Sequence, residues 1–309
     1  VYACVAEFLA ALIASLNCHW NKPLATAVYQ IFSRYCCSNE GIMPTIQQQA
    51  ARNLTKLRET RPLIHNITNF VVMNFTANIL LAAGASPVMA HAENEVEEMV
   101  GFARALVLNI GTLTDDWVEA MVKAGKKATS LGVPIILDPV GAGATTLRTT
   151  AAKRILAETK VSVVRGNASE ILALAGAQAN TKGVDAADSV DQATEQAIRL
   201  ATELKVPVAI TGPQDLITDG SRVIRVDNGH PLMSCITGTG CGATAIIGAF
   251  CGVDPDPVSA AATALAYYGL AGERAAVDAN GPGSFMICFL DALYNLTPEE
   301  LARDARISG

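Results

Sequence analysis

Short apolar runs alternate with longer stretches of helical periodicity along this chain, and the change of period predicts most of its elements. Residues 61–67, 87–89, 105–110, 133–137, 161–164 and 207–211 are brief, apolar and bounded by turn residues, and read as strands. Residues 70–83, 114–131, 146–159 and 187–204 place apolar positions at helical spacing, and a shorter helix follows Asn167 as far as Ala175. Asn94 precedes Glu95-Val96-Glu97 and is the expected N-cap of another helix. Residues 215–218 and 222–226 flank Asp219-Gly220, which predicts a hairpin. Beyond Gly240 the pattern is nearly all helix.

Strands alternating with helices imply an α/β fold, its parallel sheet covered on both faces, and the late hairpin implies antiparallel strands at one edge. Ligands of such sheets gather beyond the carboxyl ends of the strands. Asn66, Asn109, Asp138, Arg165 and Thr211 all fall at such ends. That shared placement marks them as a group.

Composition narrows the picture. The chain has 309 residues, 50% hydrophobic and 17% charged, enough for a large core and unlike a disordered protein. A net charge of -6 and the lack of a basic stripe exclude a nucleic-acid binder. The eight cysteines lack paired zinc spacing and do not suggest a disulfide scaffold; they are expected as reduced thiols of a cytoplasmic protein. Residues 1–16 are apolar but too short to span a bilayer, and no basic segment precedes them. Residues 1–42 hold four of the eight cysteines and differ in composition from the rest, so they read as an N-terminal extension of unknown role, with an organellar transit role left open.

The chemistry centres on Gly238-Thr239-Gly240-Cys241-Gly242, a glycine-rich turn that runs straight into an apolar helix. Glycines let the backbone approach a ligand, and the helix start offers free N–H groups and the positive end of a dipole. A phosphate or a developing oxyanion fits there, with Cys241 as the ionisable side chain inside the cradle. A buried helix start with Cys241 as filler is the plainer alternative. Asp138, between an apolar strand and a Gly loop, suits a Mg²⁺ site. In Arg165-Gly166-Asn167-Ala168-Ser169-Glu170, Arg165 suits nucleotide phosphates, while Glu170 either helps hold the metal or closes a capping box with Asn167. Thr211 could hydrogen-bond a phosphate. Asn66, in the polar loop after the first strand, is a candidate substrate-binding residue, and Met89 could pack on a heterocycle.

Taken together, the segments TNFVVMNFTANILLAAGASPVM, NIGTL, LDPVGAG, RGNASEILALAG, TGPQDLITDG and TGTGCGATA resemble the hydroxyethylthiazole kinases of the ribokinase-like superfamily, from about Leu63 to the C-terminus. The resemblance implies a three-layer ribokinase-like fold over residues 43–309 and ATP-dependent phosphorylation of 4-methyl-5-(2-hydroxyethyl)thiazole with Mg²⁺. It implies substrate contacts at Met89 and Gly238, ATP contacts at Arg165 and Thr211, metal carboxylates at Asp138 and Glu170, and a homotrimer. Catalysis would fall chiefly to the amides around Gly238 and Gly240 and to Mg²⁺, with Cys241 a modest base at most that receives the proton late. Two readings share the fold: a hydroxymethylpyrimidine kinase and an ATP-dependent NAD(P)H-hydrate dehydratase. Cys241 and the SPVM segment disfavour the first, and the lyase would be expected to carry an acidic residue where Cys241 stands.

Overall fold

In the computed structural model, residues 44–176 and 186–309 are described; the extension at residues 1–42 lies outside them. Helix α1 (Ile46–Thr60) begins at a capping box in which Thr45 and Gln48 satisfy each other's main-chain N–H. Strand β1 (Leu63–Ile67), helix α2 (Met73–Ala83) and strand β2 (Ser86–Val88) follow. Next come α3 (Val96–Phe102), β3 (Ala105–Asn109), α4 (Asp115–Leu131), β4 (Ile135–Asp138), α5 (Thr146–Glu158), β5 (Val163–Gly166), α6 (Ala168–Leu174), α7 (Ala186–Leu204) and β6 (Val208–Ile210). The hairpin β7 (Asp215–Thr218) and β8 (Val223–Val226) leads to α8 (Thr239–Cys251), α9 (Pro257–Asp278), α10 (Pro282–Asn295), α11 (Pro298–Asp304) and β9 (Ile307–Ser308).

The described strands form one sheet in the order β2-β1-β3-β4-β5-β6-β7-β8-β9, parallel as far as β6 and antiparallel from β6 to β9. Strand alternation deals neighbouring side chains to two cores. Val107, Ile136 and Val163 join the core under α1, α2, α8 and α9, whereas Leu106, Leu108, Leu137 and Val164 join the core under α3, α4, α5 and α7. Helices therefore cover both faces, as predicted.

One local expectation needs correction. Helix α3 has Glu95, not Asn94, in the N-cap place, and no side chain caps it. The turn before it supplies main-chain bonds instead, from Glu95 and Val96 N–H to Ala92 O at 2.9 and 3.1 Å. The nearly all-helical ending holds, with one short strand that its pattern did not show: β9, two residues long and paired with β8 through Arg225↔Ser308. So short a strand leaves no periodicity to read. Among the described residues no helix is long and apolar enough to cross a membrane.

Candidate active site

Three strand ends line up at one edge of the core that α8 covers. Asn109 is level with Asp138 across β3 and β4, and Leu137 is level with Val164, which sets Asp138 beside Arg165. By the same alternation that buries Val107, Ile136 and Val163, all three polar side chains emerge toward α8. Asn109 donates from Nδ2 to Asp138 Oδ2 at 2.7 Å, and Thr244 of α8 donates to the same oxygen at 2.8 Å. Asp138 Oδ1 has no hydrogen-bond partner; the Arg165 Nη1 group lies 3.8 Å away.

Helix α8 starts at Gly238, whose φ of 91° is left-handed and whose missing Cβ would sit 3.0 Å from Phe75 and 3.1 Å from Val72. A side chain there is refused by both backbone and neighbours. A Cβ on Gly240 would sit 3.0 Å from Arg165 Nη1, so the bare backbone is what lets the guanidinium lie against the turn. The first bond of the helix runs from Gly242 N–H to Gly238 O at 2.7 Å. The N–H groups of Thr239, Gly240 and Cys241 precede it and have no acceptor within the helix. Arg165 is itself steadied by a hydrogen bond from Nη2 to Thr211 Oγ1.

Cys241 Sγ accepts from Asn69 Nδ2 at 3.6 Å, and the same amide group donates to Asn109 Oδ1 at 2.8 Å. Burial, then the charge of Asp138, pushes the thiol up to about 11; the amides of Asn109 and Asn69 and the cation of Arg165 oppose this without reversing it. Burial and the neighbouring carboxylate thus favour the thiol form of Cys241. Asp138 is fully buried, and desolvation raises its carboxyl to about 6, aided by Glu170 and opposed by Arg165, Thr244 and Asn109.

Glu170 closes the capping box that its spacing from Asn167 predicted. Its Oε2 accepts the Asn167 N–H at 2.9 Å, while Asn167 Oδ1 accepts the Glu170 N–H at 2.9 Å, completing the capping box. Its Oε1 accepts the Gly141 N–H at 2.8 Å and so ties α6 to the loop after β4. No group of three or more His, Cys, Asp or Glu residues that could hold a metal occurs among the described residues. Two carboxylates, one with an orphaned buried oxygen, suit an ion that keeps waters and shares phosphate oxygens.

A cavity of about 610 Å³ opens beside Arg165, lined also by Thr211, Thr239, Gly240, Asp215 and His230. The structure therefore unites Asp138, Arg165, Thr211, Gly238, Gly240, Cys241 and Glu170. It does not draw Asn66 into the cluster. Asn66 pairs with Val107, one pleat repeat (about 7 Å) below the Asn109 row, and its Nδ2 donates to Ile64 O at 2.9 Å. Met89 lies half-buried just past β2. Sequence reasoning assigned no role to Asn69 or Thr244. A signal existed for Thr244, four residues after Gly240 and so on the same helix face. Asn69 carried none beyond its place in a polar loop.

Comparison with known proteins agrees with this geometry. The model of the hydroxyethylthiazole kinase family matches residues 54–299. A hydroxyethylthiazole kinase of Desulfotalea psychrophila is 64% identical over 265 residues, covering 86% of this chain and 97% of the relative. The structure of the hydroxyethylthiazole kinase protein from Pyrococcus horikoshii OT3 superposes with a TM-score of 0.79 at 46% identity, over 84% of this chain and 98% of that one. A ribokinase-like superfamily protein from Enterococcus faecalis V583, at 12% identity, shares the fold with a TM-score of 0.58 over 84% of this chain and 100% of its own.

Proposed function

The chain belongs to the hydroxyethylthiazole kinase family, and from that premise we propose that it transfers the γ-phosphoryl group of ATP to the primary hydroxyl of 4-methyl-5-(2-hydroxyethyl)thiazole, a step of thiamine biosynthesis and salvage. The observation that carries the reading is the in-register row Asn109, Asp138 and Arg165 facing the amides at the start of α8. One anionic group held there meets bare N–H donors, a guanidinium and a buried carboxylate together.

The hydroxyl oxygen forms its bond to the γ-phosphorus as the bond to the β–γ bridging oxygen breaks, and ADP leaves. Positioning and charge stabilisation dominate such a transfer. The free N–H groups of Thr239, Gly240 and Cys241 face the transferring oxygens, and losing one such donor typically costs about 3 kcal/mol. Arg165, steadied by Thr211, holds the polyphosphate. Cys241, a thiol, accepts a hydrogen bond from the hydroxyl and orients it; the hydroxyl proton passes late to an oxygen of the transferred phosphoryl group, so no strong base is required. Met89 and Gly238 are assigned to the thiazole side. Asp138 and Glu170 would hold Mg²⁺, which when bound supplies neutralisation of phosphate charge. We assign the kinase domain to residues 43–309 and the working form to a homotrimer. Cys235, Cys241, Cys251 and Cys288 are free thiols, which accords with a reducing, cytoplasmic setting.

The test is a panel of hydroxyethylthiazole, hydroxymethylpyrimidine and ribose incubated with Mg-ATP and the full chain. Phosphorylation confined to the thiazole is expected. Equal or greater turnover of another alcohol would overturn the substrate assignment.

A further inference from the structure

Arg148 stands at the first turn of α5, where Thr145 Oγ1 accepts its main-chain N–H at 3.3 Å. Its guanidinium reaches back to two other loops. Nη1 donates to Ile110 O at 3.3 Å and to Val140 O at 2.7 Å, and Nη2 donates to Gly111 O at 2.7 Å. Ile110 and Gly111 directly follow Asn109, and Val140 lies two residues beyond Asp138. The same short segment is held from its other side as well. Gly111 N–H donates to Asn109 Oδ1 at 3.0 Å, and Ile110 N–H donates to Asp138 O at 3.2 Å. No ion pair to Arg148 occurs among the described residues, so its charge is spent on three main-chain oxygens.

We propose that Arg148 is a positioning residue for phosphoryl transfer, clamping the loops that leave β3 and β4 so that Asn109 and Asp138 stay paired in front of the start of α8. The proposal rests on the kinase reading above. Its logic is geometric. A planar fork bridges two loops at once, which an ammonium on a flexible stem cannot reproduce. The bonds end within two residues of the two polar groups of the site, on the loops that shape it. A clamp in that position controls where the Asp138 carboxylate points without touching substrate, and small displacements of a reacting group cost as much as about 100-fold in rate.

Arg148→Ala and Arg148→Lys in the full chain test this. In both variants kcat is expected to fall by up to about 100-fold while KM for the alcohol moves less than about twofold. The gain in affinity for the non-hydrolysable analogue AMP-PCP that Mg²⁺ brings, read by calorimetry, is expected to shrink by about tenfold, with affinity measured in EDTA unchanged. Added guanidinium should speed R148A by about tenfold and leave the native chain and R148K unaffected, because the lysine stem occupies the space. R148K keeps the charge and the stem, so it carries the test if R148A fails to fold. Native kcat in either folded variant overturns the proposal. So does a fall in melting temperature with no change in magnesium-linked affinity and no guanidinium rescue, which is what a purely structural residue would give. Should the native chain fail to phosphorylate the thiazole while the binding arm behaves as expected, the substrate reading falls and the clamp stands.

Discussion

Asp138→Asn separates stability from activity at the centre of the site. The native carboxyl is fully buried, and burial holds it at about 6 against an ordinary value of 3.8, even with Arg165, Thr244 and Asn109 favouring the charged form. About 2 pH units correspond to about 3 kcal/mol. The folded chain holds this proton more tightly than the unfolded chain. Stability is therefore greatest below the unfolded value, declines as pH rises through about 6, and stays lower above it. Asparagine imitates the protonated group and keeps an oxygen for Asn109 and Thr244. We expect D138N without metal to be more stable than the native chain at pH 8 by as much as about 3 kcal/mol, or about 6 °C in melting temperature. The gain should vanish toward pH 4. Thermal denaturation in EDTA across pH 4–8, run beside initial-rate assays, reads both effects. A stabilised variant with little activity is the expected result. A variant that melts lower than the native chain at pH 8, or whose gain is the same at every pH, refutes the burial argument. Unchanged rate and magnesium dependence refute the functional assignment of Asp138.

Three further predictions follow from the same geometry. With its thiol pushed up to about 11, Cys241 should alkylate far more slowly at pH 8 than exposed Cys235, and mass spectrometry of iodoacetamide adducts checks this; equal labelling would contradict the raised value. Cys241→Asp should keep substantial kinase activity, because orientation of the hydroxyl rather than a thiolate is required, and a folded but inactive variant in a rate assay counts against that role. Gly240→Ala places a Cβ 3.0 Å from Arg165 Nη1 and 3.2 Å from Nη2, so KM for ATP should rise while KM for the alcohol stays near its native value; initial rates at varied ATP decide, and an unchanged KM for ATP would detach Arg165 from the nucleotide.

The sequence by itself determined the layers of this protein. Alternation of apolar runs with amphipathic stretches requires a covered parallel sheet, since each strand must bury both faces and each helix one. Polar residues closing apolar strands then announced the end at which chemistry occurs, and the glycines before Cys241 announced a bare helix start. What only the tertiary structure decided is which of those strand ends share a level. Register across the sheet sets Asn109 beside Asp138 and leaves Asn66 one repeat below them, a distinction invisible in a pattern that marks both as strand-end asparagines. Tertiary packing likewise decided the ionisation of the site. A helix start by itself acidifies a thiol, yet enclosure beside Asp138 raises this one, because desolvation and a neighbouring negative charge outweigh the nearby amides and cation. Local spacing sets which groups are available along each strand and helix. Sheet register and burial, which depend on residues far away in the chain, set which of them meet and what charge they carry when they do.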